Sequence, residues 1–172
     1  MRNKCTFSFR IFLFVLLISL GSVTESFAQE FGIYEISSSN TAKANNKNGK
    51  VENRDRFYDL ALNLQPTHYI ENNNLKTVYG SGDPVNMTFE DSRSFGWLNS
   101  KGSKKGSVEL LMIHLDTAND LQNSLDISDD KDFKNLKYVF IKCRFNCSQN
   151  DIEQFIKVDS KVRIFYTNQI GG

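Results

Sequence analysis

The apolar pattern of the chain begins with a block, Ile11-Phe-Leu-Phe-Val-Leu-Leu-Ile-Ser-Leu20, set between polar stretches. Arg2, Lys4 and Arg10 precede it with no acid among them, and Ser26-Phe27-Ala28 places small residues two apart after it. A cationic start, an apolar core of about ten residues and a small-x-small end make a secretory signal peptide. The block is too short for a comfortable bilayer span, which needs roughly 20 apolar residues. Residues 1–28 are therefore read as a leader removed on export, and Cys5 lies on the wrong side of the block to be a lipidated cysteine.

Downstream, the pattern divides the chain again. Residues 29–53 read as a flexible N-terminal arm, because 37–50 are small and polar throughout and bury too little to offset their ordering entropy. Within the arm Phe31, Ile33, Tyr34 and Ile36 form a short cluster suited to an edge strand. Residues 54–172 read as one domain. Arg56 to Leu64 fits two helical turns or a strand, closed by Pro66. Leu75–Tyr79 and Val85–Phe89 alternate as short strands, with a turn at Gly80-Ser-Gly-Asp-Pro84 between them. Ser100-Lys-Gly-Ser-Lys-Lys-Gly-Ser107 reads as an exposed basic loop.

The last third carries the clearest periods. Val108 to Asp116 is apolar on both faces, as in a central buried strand. Leu136 to Cys143 alternates, with Tyr138 and Phe140 on one face and Val139, Ile141 and Cys143 on the other. Ser148 is placed to cap a helix with Asp151 at its third position; Ile152, Phe155 and Ile156 follow at helical spacing, closed by Asp159-Ser-Lys161. Val162 to Tyr166 is a last strand. The expected fold is thus α/β or α+β: a small mixed sheet with a C-terminal βαβ unit, its strands parallel neighbours.

Charge narrows the partners. Taking three cations and Glu25 of the leader from a chain of net charge +1 leaves −1 for residues 29–172. A near-neutral domain lacks the basic stripe that nucleic acid requires and the polybasic segment that an anionic membrane requires. Abundant Asn, Lys, Ile and Phe with only two prolines suit an A+T-rich bacterial genome, so export points to the periplasm or the medium.

Two constellations carry candidate chemistry. After leader removal Cys143 and Cys147 are an even pair in an oxidising compartment, expected as a disulfide between strand end and helix start. The segment Ile141 to Ile152 also resembles the copper-site corner of the Sco-type copper chaperones, which have a thioredoxin-like fold. That resemblance implies soft-metal or thiol redox work at a helix N-terminus, where thiolate is favoured. Those proteins add a histidine ligand later in the chain, and here none follows Cys147. The second constellation is His114 with Asp116, two apart on a strand: they could seat a base beside its orienting carboxylate, but no nucleophile is tied to them, and the commoner reading is a partly buried histidine near a strand end. His68 sits in an expected loop.

Three further patterns are set aside. Asp126-Ile-Ser-Asp-Asp-Lys-Asp132 lacks the glycine and terminal glutamate of a calcium-binding loop and reads as a solvated connection. Gly80-Ser-Gly82 lacks the spacing of a phosphate loop. Leu136, Val139 and Ile141 hold the spacing of a leucine-rich repeat, but the ladder position is Arg144 and the sequence offers no evident second copy. The resulting reading is an exported, non-catalytic binding or accessory protein, with no cofactor and no metal site, whose partner is a protein or cell-surface ligand. The alternative is a thiol redox or copper-binding protein using Cys143 and Cys147.

Overall fold

The computed structural model describes residues 32–36 and 54–169. The leader, the polar stretch 37–50 and the last three residues lie outside the described set. Seven strands form one sheet: β1 (Ile33–Glu35), β2 (Thr67–Glu71), β3 (Asn74–Tyr79), β4 (Asn86–Phe89), β5 (Leu110–Leu115), β7 (Tyr138–Cys143) and β9 (Arg163–Asn168). Two short strands, β6 (Leu125–Asp126) and β8 (Ile156–Lys157), pair separately. The helices are α1 (Asp55–Leu62) and α2 (Gln149–Phe155), with 3-10 segments at Ser92–Asn99, Lys105–Ser107 and Ala118–Gln122.

The sheet order is β1-β9-β7-β5-β4-β2-β3, all parallel except β3. The expected mixed sheet and C-terminal strand-helix-strand unit are both present, and the doubly apolar β5 occupies the middle. The β1 cluster docks as an edge strand along β9, with Ile33 opposite Ile164. Arg56 to Leu64 resolves to a helix, ending before Pro66.

From β2 to β9 the parallel strands follow chain order, so each crossover returns to the adjacent position. Thr67, Asn86, Leu110, Tyr138 and Arg163 share one row, giving coils of roughly 20 to 30 residues, the size of a solenoid unit. The spacing of Leu136, Val139 and Ile141 does have a partner in Val108, Leu111 and Ile113, and the sheet sets Leu111 beside Val139 and Ile113 beside Ile141. The positions that would carry a polar ladder hold Asp116 and Arg144, which form an ion pair at 3.2 Å.

The crossovers pack on one face. Trp97, Leu98, Val108, Leu125, Ile127, Phe133, Leu136, Ile152, Phe155 and Val162 close over the inward row of Met87, Phe89, Leu111, Ile113, Leu115, Val139, Ile141 and Cys143. The other face carries α1, whose Phe57 and Leu60 pack on Leu110, Met112, Tyr138, Phe140 and Phe165. Phe57 stacks on Phe165 with ring centroids 4.0 Å apart. Both faces are covered here, as a parallel sheet requires.

Three local devices hold this frame. Asn72 and Asn73 both take positive φ and close the β2–β3 hairpin in the manner of a type I′ turn. Asp91 accepts from the backbone N–H groups of Asn72 and Arg93 and from the Ser94 hydroxyl, tying that turn to the 92–99 segment. Ser148 and Asp151 form the expected capping box at α2. Ile156, read as part of that helix, instead turns extended and pairs with Leu125.

Candidate functional site

Alternation along the strands decides what each face can do. On β5, Leu111, Ile113 and Leu115 point into the crossover core, so Leu110, Met112 and His114 point to the face that bears α1. Helix α1 packs on Leu110 and Met112. His114, one step further, stands between Lys142 on β7, its register partner, and Glu90 just beyond the end of β4. Three strands therefore bring Glu90, His114 and Lys142 into one polar row, extended at the strand ends by the Asp116–Arg144 pair.

The carboxylate that faces His114 is Glu90, with Oε2 3.3 Å from Nδ1, while Asp116 turns to Arg144. His114 is a partly buried histidine near a strand end, and its carboxylate contact comes from across the strands rather than from Asp116, which only the register could reveal. The Nε2 of His114 is buried with no hydrogen-bond partner. Burial holds the imidazole below its ordinary pKa and outweighs Glu90, which acts in the opposite direction; Lys142 and Arg144 also oppose protonation. Burial likewise lowers Lys142, whose ammonium lies 5.4 Å from the Phe140 ring centroid. A partly desolvated cation whose described surroundings give it no ion pair is poised to gain from an incoming carboxylate or other acceptor.

The cysteines lie on the opposite face. Cys143 and Cys147 form a disulfide, and both residues are buried, at 0% and 3% exposure. Their loop is fastened to β9: the Cys147 N–H donates to Asn168 Oδ1 at 2.9 Å, Asn168 Nδ2 returns a bond to the Cys147 carbonyl, and Gln169 N–H donates to the Cys143 carbonyl. Asn168 also donates to Glu35 of β1. The bond ties the end of β7 to the residue before the α2 cap, within one coil and beside the core, well suited to a local staple. Among the described residues no three His, Cys, Asp or Glu side chains come together as a metal-holding group.

His68 is a second correction. It lies within β2 rather than a loop, is buried against Trp97, and is held below its usual pKa by burial. The basic loop is also less exposed than its composition suggests: Lys105 is buried and donates to Asp130 at 2.6 Å, with Asp132 at 3.5 Å. The acidic run 126–132 thereby serves partly as an internal counter-charge. Asn168, Glu90 and Lys142 were missed because no local motif marks them; their roles depend on which strands become neighbours.

Comparison with family models, with curated proteins and with solved structures returns no match. Among the described residues no helix is long and apolar enough to cross a membrane.

Proposed function

We propose that this is an exported, non-catalytic binding protein that engages a protein or cell-surface ligand through the row Glu90, His114 and Lys142. The observation that carries the reading is Lys142: a half-buried cation on a rigid sheet face, beside His114 and Glu90, without an ion pair of its own among the described residues. Rigid strands hold such groups at fixed spacing, so little ordering entropy is lost when a complementary acidic group arrives. The neighbours of His114 in this row are Glu90, Lys142, Asp116 and Arg144, and a hydrolase would need a nucleophile within reach of its imidazole.

Export is supported by the leader pattern of residues 1–28 and by the disulfide, a bond that persists in oxidising compartments. N-terminal sequencing of protein from its producing cells should read from Gln29. A chain beginning at Met1 in the membrane fraction would contradict export.

The binding reading is tested by immobilising residues 29–172 and passing a cell-envelope extract over wild-type and Lys142→Glu protein. A partner held by the wild type should be lost from the variant, and equal retention by both would refute the row as the binding surface. The alternative, copper or thiol exchange at Cys143 and Cys147, requires a buried bond to open. It predicts ready reduction by a small thiol and tight uptake of one soft metal ion by the reduced form, abolished when both cysteines become serine.

A further inference from the structure

We propose that a second site, independent of the Glu90–His114–Lys142 row, binds a phosphate group, free or as a small phosphomonoester, in the depression formed by residues 98–106 and 132–134. The cavity measures about 510 Å³ and is lined by Ser100, Lys101, Ser103, Lys104, Lys105 and Lys134, with Asp132 as its acid. That volume lies within the roughly 300–1,000 Å³ of small-molecule sites, which leaves room for more than the anion itself.

The four lysines are not equivalent. Lys105 is committed to Asp130 and Asp132, and that bond fixes the cavity floor while neutralising the acid at its edge. Lys104 reaches Asp83 at 2.9 Å, but both side chains are more than half exposed, so solvent screens the pair and leaves the lysine easily redirected. Lys101 and Lys134 line the cavity with no carboxylate within ion-pair distance among the described residues. Three ammonium groups can thus converge on one anion without breaking a buried contact.

The loop is also built to hold its shape. Ser100 N–H donates to the Trp97 carbonyl, and Ser103 N–H donates to the Ser100 carbonyl. Lys104 takes a left-handed φ of 47°, which turns the chain into the 105–107 segment. Ser100 carries the second pointer to a ligand: its Oγ is buried with no hydrogen-bond partner. An unmet buried hydroxyl is costly, and Ser100 belongs to the cavity lining, where an anion oxygen would accept its proton. Charge from three lysines plus a hydroxyl donor is the chemistry of phosphate recognition.

The test uses residues 29–172 labelled with nitrogen-15 and titrated at constant ionic strength. The probes are glucose 6-phosphate, inorganic phosphate, glucose and sodium chloride. Saturable shifts of the Ser100, Ser103, Lys104 and Gly106 amides with either phosphate probe, and none with glucose, are expected; comparison of the two phosphates tells whether free or esterified phosphate is preferred. Loss of two charge-assisted bonds in the Lys101→Ala, Lys134→Ala double variant should weaken binding about tenfold or more. Both substitutions are at cavity-wall side chains outside the core, so the variant's melting midpoint should match the wild type. Absence of saturation by either phosphate up to about 10 mM, a limit weaker than ordinary millimolar recognition, would overturn the site. So would identical shifts with chloride, or wild-type affinity in a folded double variant.

Discussion

The two faces of this sheet are made from the same strands yet differ in what they hold. On the crossover face, alternate residues from Met87 to Tyr166 enter one continuous apolar core, closed by every connection from β4 to β9 and by the disulfide. On the other face α1 covers an aromatic cluster, and beyond it the pattern changes to Glu90, His114 and Lys142. A period of two thus lets one strand stabilise the fold with its odd positions and present charge with its even ones. Stability and the proposed recognition are separable here because adjacent residues point apart.

This separation makes its strongest prediction at Ile141, which is fully buried between coils. Ile141→Ala should lower the unfolding free energy by about 2–5 kcal/mol, the range for truncating a buried aliphatic side chain. Denaturant titration checks it, and a loss under 1 kcal/mol would mean that the crossover core does not carry the fold. The disulfide should come next. Replacing Cys143 and Cys147 with serine should cost about 2 kcal/mol or less, because the bond closes a loop of only a few residues. The Asn168 bonds to Cys147 should keep the loop in place, so far-ultraviolet circular dichroism should stay unchanged.

A smaller effect sharpens the contrast through pH. Burial holds His114 and His68 below the ordinary imidazole pKa, so the folded chain binds fewer protons than the unfolded one as both begin to titrate. Their contribution to stability is therefore complete above the unfolded value of about 6.5 and is lost as pH falls through the folded values. Melting midpoints measured from pH 8 to 5 should decline in the acidic half, and His114→Gln should reduce the slope. A slope unchanged by that substitution would place the titration elsewhere.

Legibility followed the reach of each interaction. The Ser148–Asp151 cap, the two faces of β7 and the central place of β5 were readable because each depends on residues a few positions apart. The β2–β3 hairpin carries only a faint local sign in Asn72-Asn73, since asparagine marks a positive φ less conspicuously than glycine. The coil repeat is only half visible in the sequence: the Leu136 spacing stands out, while its match at Val108 is hidden inside a strand apolar on both sides. Glu90 beside His114, Asp130 beneath Lys105 and Asn168 under the disulfide loop could not be read, because each joins residues more than twenty positions apart. Strand register creates those contacts, and a single sequence does not display it.

The smallest expected change in stability bears most directly on the division between the faces. Lys142 contributes no ion pair to the described fold, so Lys142→Glu should leave the melting midpoint close to that of the wild type, the stability change staying within about 1 kcal/mol. The same variant should lose at least about tenfold in affinity for the partner captured by the wild type, because a like charge would now meet the acidic group. Both quantities can be measured on one preparation, by calorimetry of the free protein and of its complex. A fall in affinity with the midpoint preserved is the predicted result; unchanged affinity in the folded variant would contradict the account.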